Sequence, residues 1–150
     1  MHAERLLPGK TAPEGYAALR EVEAYLRRSG LPPSLTELVK MRASQINGCA
    51  FCLDMHSKDA RKHGETEQRL YLLSGWRESP LYTPAERAAL AWTEALTRVA
   101  ETHAPDADYR ALREHFSDKE IVDLTILIGM INLWNRLAIG MRYVHDVGSD

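Results

Sequence analysis

The apolar and polar positions along this chain follow helical patterns from end to end. No run alternates apolar and polar residues as a half-buried strand does, and the pair Asn47-Gly48 lies between two helical patterns rather than in a hairpin. The expected fold class is all-α, a bundle of about six to seven helices in a single domain over residues 1–150. The pattern predicts helices near 12–29, 34–47, 49–63, 66–74, 84–102, 107–116 and 118–142.

Helix starts and ends can be located by their capping residues. Four segments place a Ser or Thr three residues before a Glu, the spacing of a capping box: Thr11–Glu14, Ser34–Glu37, Thr83–Glu86 and Ser117–Glu120. Pro84 follows Thr83 directly, at the first helical position that favours proline. Gly30, Gly64 and Gly75 mark expected helix ends, which leaves residues 75–83 as a loop.

The last predicted helix carries the longest apolar tract, Ile121 to Trp134, which is interrupted by Asp123 and Asn132. A helix that is apolar almost all round lies either at the centre of a core or in a subunit interface. The rest of the chain can surround such a helix only in part, because the cysteine-bearing helix must also be packed. We therefore expect the surplus apolar surface to be buried in a homo-oligomer.

Composition and charge exclude several classes of partner. The apolar share of 45% and the charged share of 27% are ordinary for a globular protein, and the net charge of -2 provides no basic surface for nucleic acid or for a membrane. The first residues, Met-His-Ala-Glu-Arg, are not followed by the apolar region of a signal peptide. No stretch reaches the ~18 apolar residues of a membrane span. A cytoplasmic protein is expected.

Cys49 and Cys52 are the only two cysteines, and they form a Cys-x-x-Cys. In the cytoplasm a lone pair of this kind is more often catalytic or metal-binding than a structural staple. Cys49 follows Asn47-Gly48 and so falls near a helix N-terminus, where unpaired N–H groups favour a thiolate. His56 lies four residues beyond Cys52, on the same helix face, and can take its proton. The spacing favours thiol redox chemistry.

Two other interpretations of the cysteine pair are a zinc site and a plain buried pair of thiols. No second Cys-x-x-Cys and no His pair completes a set of four zinc ligands. His63 shares the stripe, but it lies 11 residues beyond Cys52, roughly 16 Å along a helix axis. A thioredoxin-type fold is rejected because residues 34–45 show no strand pattern before the cysteines. We expect neither a metal nor a cofactor.

Glu37 has two interpretations. It is the N3 glutamate of the box that begins at Ser34, which would make it a capping residue. Alternatively, helix 34–47 packs beside the cysteine helix and directs Glu37 at His56, where a carboxylate would orient the imidazole. Spacing alone does not decide between the two.

The remaining histidines and two aromatic residues carry weaker signals. Three histidines in polar surroundings are expected to be solvated: His2, His103 and His115. His145 lies near the C-terminus and has no assigned neighbour. Tyr143 and Trp134 are expected in the core or in an interface rather than against a cofactor.

The order Glu37, Cys49, Cys52, His56 resembles the alkylhydroperoxidase D-like (AhpD-like) branch of the carboxymuconolactone decarboxylase superfamily. The strings around the cysteines, Ser44-Gln45-Ile46-Asn47-Gly48-Cys49 and Ser57-Lys58-Asp59-Ala60, are also similar to that branch. So is the late segment Asn132-Leu133-Trp134-Asn135-Arg136, and the likeness extends roughly from Thr36 to Tyr143.

The resemblance implies an all-helical fold that assembles as trimers or hexamers, and a peroxidase or thiol oxidoreductase that cycles a disulfide. In the family's assignments, Cys52 matches the cysteine that becomes a sulfenic acid. Cys49 matches the partner that supplies a proton and closes the disulfide, and His56 and Glu37 match a proton relay. The implied partners are a small hydroperoxide substrate and a dithiol reductant.

One position departs from the family pattern. Alkylhydroperoxidase D itself has a second histidine directly before the second cysteine, and this chain has Phe51 there. A shorter proton relay and a more apolar site are therefore expected. Two alternative functions are a decarboxylase-like lyase that uses His56 on a ring substrate, and a non-catalytic redox sensor. Only the peroxidase needs both cysteines for turnover.

Overall fold

The computed structural model describes residues 3–148, and within these residues every regular element is a helix. The prediction of an all-α fold is therefore confirmed. Along the described chain the elements are α1 (Pro8–Thr11), α2 (Pro13–Arg28), α3 (Pro33–Asn47), α4 (Ala50–Lys62), α5 (Glu67–Tyr71), a 3₁₀ helix (Leu73–Glu78), α6 (Pro84–Thr97), α7 (Val99–Thr102), α8 (Asp106–Arg113) and α9 (Asp118–Met141).

Two predicted elements differ from the structure. The helix expected over 84–102 is interrupted at Arg98, which has φ of -108° and ψ of 36°, and it forms α6 and α7 instead. The helix expected over 66–74 ends at Tyr71, and the chain continues as the 3₁₀ helix. Gly75 was predicted to end a helix and lies inside that 3₁₀ helix. Its φ of -107° is open to any residue, so no left-handed C-cap forms there.

The capping boxes Thr83–Glu86 and Ser117–Glu120 are confirmed, because each has both reciprocal hydrogen bonds. The boxes predicted at Thr11 and Ser34 are wrong. In both places a proline begins the next helix, as Pro33 begins α3, because its fixed φ suits the first helical position and its missing N–H costs nothing there. Ser34 therefore lies inside the first turn instead of capping it.

Helix α3 lies at the centre of the bundle and packs against α4, α6 and α9. Its Leu38, Val39 and Ala43 are fully buried. One apolar cluster joins α2, α3, α6 and α9, and a second joins α3, α4, the 3₁₀ helix and α6. A third, small cluster encloses Cys49 and Cys52 with Ala138 of α9. The cysteines thus lie where the start of α4 packs against α9, and they are buried rather than on an exposed loop.

Helix α9 has one buried side and one exposed side. Leu124, Leu127 and Ile128 are within the core, whereas Val122 is 57% exposed and Ile139 is 47% exposed. With 24 residues, the helix is long and apolar enough to cross a membrane by length and composition, so the expectation that no stretch meets such a test is wrong. A core helix passes the same test, and the buried side of α9 lies in the apolar core.

The two polar residues that interrupt the apolar tract of α9 both have partners. Asp123 is 1% exposed and accepts hydrogen bonds from the Tyr25 hydroxyl and from Lys119 Nζ, each at 2.5 Å. Burial opposes ionisation of Asp123, but these two hydrogen bonds outweigh it and hold the pKa of the carboxyl below its ordinary value. Asn132 donates to the Thr97 hydroxyl and to the Ile128 carbonyl. Neither residue prevents α9 from packing in the core.

We expect the protein to be a homo-oligomer that uses the exposed side of α9, whose Ile126 is 36% exposed. Light scattering at micromolar concentration should give a multiple of the 17.0 kDa chain mass, three- or sixfold by the family resemblance. The substitution Ile126→Arg should lower that mass, because a charge cannot be buried unpaired in an apolar interface. Val147→Arg, at a position 90% exposed and outside α9, is the matched control and should leave the mass unchanged. A wild-type mass of 17.0 kDa would contradict the prediction.

Candidate active site

The turn between α3 and α4 fixes the position of the cysteine pair. Gly48 ends α3 with a φ of 70°, a left-handed conformation that other residues rarely adopt. Directly after it, the Cys49 N–H donates to the Ser44 carbonyl at 3.0 Å. Cys49 is the N-cap of α4, and its sulfur accepts from the Cys52 N–H at 3.3 Å. The predicted placement of Cys49 at a helix N-terminus is confirmed.

Cys49 and Cys52 lie at disulfide distance and are paired in the structure, with a Cα–Cα separation of 5.3 Å. That separation is within the usual range for a disulfide. Each cysteine is 1% exposed, and the described residues contain no free cysteine. Because both cysteines belong to one helical turn, the bond can open and close with little movement of the backbone.

His56 and Glu37 form a buried pair between α4 and α3. The imidazole Nδ1 lies 3.0 Å from Glu37 Oε2, and each residue is 7% exposed. A carboxylate only accepts hydrogen bonds, so Nδ1 carries the proton and Nε2 is the nitrogen left for chemistry. The capping interpretation of Glu37 is wrong, because α3 has no side-chain cap and this carboxylate faces another helix. A role for Glu37 in a proton relay stays a prediction.

Lys40 extends this pair toward α2. Its Nζ lies 3.8 Å from Glu37 Oε1 and 3.8 Å from Glu23 Oε2, and its side chain is only 15% exposed. Glu23 also accepts a hydrogen bond from Trp134 Nε1 at 2.8 Å. The His56–Glu37 pair is therefore supported by Lys40 of α3 itself and by groups from two further helices, Glu23 of α2 and Trp134 of α9. The sequence analysis did not single out Lys40, although it lies three residues after Glu37 on the same helix, and Glu23 comes from a separate helix.

A cavity of about 340 Å³ lies beside the cysteine pair. Cys52 and His56 both line it, and Cys49 is not among its lining residues. The side of the cavity opposite Cys52 and His56 is largely aromatic and is formed by Tyr16, Phe51, Trp134 and Tyr143. Burial, with smaller contributions from the nearby charges of Tyr16 and Glu4, raises the pKa of Tyr143, so this phenol is neutral near pH 7.

The aromatic residues of this cavity bear on two expectations, the placement of Tyr143 and Trp134 and the effect of Phe51. Tyr143 and Trp134 are partly buried, as expected, but they lie beside the cysteine site. Phe51 packs edge-on against Tyr143, with ring centroids 5.1 Å apart. The residue that departs from the family pattern thus makes the cavity more apolar.

A buried amide cluster ties the cysteine turn to α9, and sequence reasoning assigned it no role. Asn47 Nδ2 donates to the side-chain oxygens of Asn132 and Asn135, each at 2.9 Å. Asn135 is fully buried and donates to the Ser44 hydroxyl at 3.0 Å. Ser44 also receives the Cys49 N–H through its carbonyl. Amides within the apolar tract of α9 were the available signal, because buried amides need partners.

One group of side chains at the site could hold a metal ion. Single donor atoms of Glu37, His56 and Asp59 all lie within 4.8 Å of one another. Helix spacing alone does not predict that Asp59 lies near Glu37, because the two residues belong to different helices. His63 is exposed, with Nδ1 2.8 Å from the Asp59 carbonyl.

Three further histidines do not line the cavity beside the cysteine pair. His103, His115 and His145 are exposed, which agrees with the expectation for the first two. His2 lies outside the described residues.

We expect Glu37→Gln to slow alkylation of Cys52 in the reduced protein roughly tenfold near neutral pH, because the imidazole loses its orienting carboxylate. The free energy of unfolding should change by about 1 kcal/mol or less, since Glu37 caps no helix. Thr83→Ala is the matched control. It removes a real capping box and should lower stability by about 1 kcal/mol without changing the alkylation rate. Urea unfolding measures the free energy of unfolding of each variant, and iodoacetamide kinetics measure the rate of Cys52 alkylation. Lost stability with an unchanged alkylation rate in Glu37→Gln would show that Glu37 has a structural role and no role in the proton relay.

Fold and site together define a class: an all-helical protein with a Cys-x-x-Cys pair at a helix N-terminus, beside a buried His–Glu pair. The carboxymuconolactone decarboxylase family model matches residues 11–95. The chain belongs to the carboxymuconolactone decarboxylase family, within its AhpD-like branch.

Comparisons with individual proteins agree with this family. The uncharacterized protein YdfG of Bacillus subtilis is 45% identical over 139 residues, which cover 93% of this chain and 95% of YdfG. Alkyl hydroperoxide reductase AhpD of Hyphomonas neptunium is 47% identical, but only over 34 residues, 23% of this chain and 19% of that protein. The crystal structure of ATU0492 from Agrobacterium tumefaciens superposes with a TM-score of 0.94 at 51% identity, covering 97% of this chain and 100% of that one. ATU0492 is described as a protein of unknown function and a candidate antioxidant defence protein AhpD.

Proposed function

We propose that this protein is a thiol-dependent peroxidase that reduces alkyl hydroperoxides through Cys49 and Cys52. The observation that carries the proposal is that Cys52 and His56 line one cavity while Cys49 is paired with Cys52 away from its lining. A substrate in the cavity would therefore contact the Cys52 sulfur and the His56 imidazole, while the Cys49 sulfur would remain available to form the disulfide afterwards. The family and the similarity to ATU0492 support the same redox class.

In the first step, the Cys52 thiolate attacks the outer oxygen of the hydroperoxide. A sulfur–oxygen bond forms, the oxygen–oxygen bond breaks, and the alcohol leaves with a proton from His56. His56 carries that proton because it earlier took the proton of the Cys52 thiol. Glu37 accepts the hydrogen bond from Nδ1 of His56 at 3.0 Å, which leaves Nε2 as the nitrogen that exchanges protons with the thiol and the alcohol.

The second step closes the disulfide, and the third reopens it. The Cys49 sulfur attacks the Cys52 sulfenic acid, water leaves, and the disulfide forms. An external dithiol then reduces this disulfide by exchange and is itself oxidised. The proposed compartment is the cytoplasm, where reducing dithiols are maintained. The aromatic side of the cavity favours an organic hydroperoxide over hydrogen peroxide, because it can bury an apolar alkyl group.

The experiment that tests the proposal adds one equivalent of cumene hydroperoxide to the fully reduced protein. Two thiols per chain should disappear, and the mass should fall by two hydrogens between Cys49 and Cys52. Dithiothreitol should restore both thiols, and a dithiol present from the start should support repeated turnover. Bovine serum albumin at equal thiol concentration is the control for non-specific oxidation. Thiols that persist after the peroxide would end the redox interpretation.

A further inference from the structure

We propose that the preferred substrates are hydroperoxides that also carry a carboxylate, of the fatty acid type, and that Arg27 near the end of α2 binds that carboxylate. This inference rests on the proposed peroxidase function and names the substrate class of the same site. The starting observation is that Arg27 lines the cavity that Cys52 and His56 line, although it comes from a different helix. Arg27 is exposed, so an anion from solvent can reach it.

A neighbouring cavity of about 450 Å³ adjoins the first one. Four residues line both cavities, all of them charged, and we call them the charged junction: Glu23, Arg27, Lys40 and Asp59. Neither Cys52 nor any of the four aromatic residues of the first cavity lines the second. The charged junction therefore lies at the end of the first cavity that is away from its aromatic residues.

The positions of these residues along two helices indicate the length of a substrate that fits. On α4, Asp59 follows Cys52 by seven residues, about 10 Å along the helix axis. On α2, Tyr16 and Arg27 stand at positions i and i+11, which share one face of a helix. Tyr16 packs edge-on against Trp134 at the aromatic end, with ring centroids 5.6 Å apart. A carboxylate bound at Arg27 would thus be separated from a hydroperoxide at Cys52 by a chain of several carbon atoms.

Arg27 is the residue of the charged junction whose side chain has no partner among residues 3–148. Lys40 and Glu23 pair with each other at 3.8 Å, and Asp59 pairs with Lys62 at 3.6 Å. The guanidinium of Arg27 can therefore accept a carboxylate without breaking an existing ion pair. Its planar group matches a carboxylate with two parallel hydrogen bonds.

The two ends of the cavity together select an amphipathic monoanion. The aromatic end can bury an apolar chain, as an uncharged alkyl hydroperoxide would also require. The charged junction adds one unpaired positive charge, which suits a group with one negative charge. Glu23 and Asp59 at the same end would repel a doubly negative group such as a phosphate monoester. A fatty acid hydroperoxide meets all of these conditions.

The test measures single-turnover loss of thiol from the fully reduced protein with linoleic acid hydroperoxide and with its methyl ester. The two probes differ in the charge at one end of the molecule. At equal, sub-saturating concentrations, wild type should react at least about fivefold faster with the acid than with the ester. Added salt should reduce this ratio, because screening weakens an exposed ion pair. No reductant is present, so recognition of a dithiol by Arg27 cannot produce the difference.

Variants of two neighbouring arginines test the role of Arg27. Arg27→Gln should lower the acid-to-ester ratio to about one, and Arg27→Lys should give an intermediate ratio, because lysine keeps the charge but not the planar fork. The matched control is Arg28→Gln, which makes the same change of charge at an exposed residue that lines neither cavity. It should keep the wild-type ratio. Equal rates for acid and ester in wild type, or the wild-type ratio in Arg27→Gln, would overturn the proposal.

A binding measurement without any peroxide separates this proposal from the proposed function. Linoleate should slow alkylation of Cys52 by iodoacetamide in the reduced protein at lower concentrations than methyl linoleate does. Arg27→Gln should remove that difference, and Arg28→Gln should keep it. If neither hydroperoxide oxidises Cys52 but this protection is observed, the peroxidase function fails and the carboxylate site stands. If both hydroperoxides oxidise Cys52 and linoleate protects no better than its ester, the peroxidase function stands and the carboxylate site fails.

Discussion

Replacing Cys52 by serine should abolish hydroperoxide turnover, with a loss of about three orders of magnitude or more. A serine hydroxyl at this position is not ionised near neutral pH and is a poor nucleophile toward a peroxide oxygen. Cys52 lines the cavity and Cys49 does not, so Cys52 is the thiol that a substrate in the cavity meets first. The measurement is consumption of cumene hydroperoxide with dithiothreitol as the reductant.

Cys49→Ser is the matched variant, because it removes the other half of the same disulfide. It should also stop turnover, but Cys52 should react once and remain as a sulfenic acid that dimedone traps, one adduct per chain. Cys52→Ser should form no such adduct. A dimedone adduct on Cys49 in Cys52→Ser would reverse the assigned roles of the two cysteines. Full activity of the double serine variant on a ring substrate would favour the decarboxylase-like alternative.

Replacing His56 by alanine should lower the rate of Cys52 oxidation by about 100-fold or more, the usual contribution of a general acid–base group. The imidazole is 7% exposed, lies one helical turn from Cys52 and lines the same cavity. The measurement is single-turnover loss of thiol after mixing the reduced protein with hydroperoxide. Circular dichroism should show an unchanged helical content.

His63→Ala is the control for this prediction. It removes an imidazole from the end of the same helix, where the side chain is exposed and makes a bond only to the Asp59 carbonyl. Its rate of thiol oxidation should match that of wild type. Equal rates in His56→Ala and His63→Ala would remove His56 from the mechanism, and the dipole of α4 would then have to account for the reactivity of Cys52.

Much of the candidate site could be predicted because it belongs to one helix. The spacing of Cys49, Cys52 and His56 fixes their shared face once α4 forms, and Gly48 fixes where that helix begins. The all-α fold class could be predicted for a similar reason, because the signals that start, continue and end a helix lie close together in the sequence. Spacing also predicts that His63 lies far from the cysteines along the helix axis, and in the structure its exposed ring lies beside the Asp59 carbonyl.

Local signals failed where two of them competed. A capping box with Ser34 as its N-cap would start the helix at Leu35, but the helix starts two residues earlier at Pro33, whose ring presets the helical φ. That difference removed the capping role of Glu37. At Gly75, the residue type indicated a helix end, but the chain continued through it as a 3₁₀ helix.

The sequence by itself determined the helical class and the line of Cys49, Cys52 and His56 along α4, because neighbours one or two turns apart on a helix have no other arrangement. Only the tertiary structure decided that Glu37 faces His56, that Asp59 joins them, and that aromatic side chains from α2 and α9 form the cavity. The reason is physical: these contacts depend on how helices pack across their faces, and packing angles and rotations are set by the whole core rather than by any one segment.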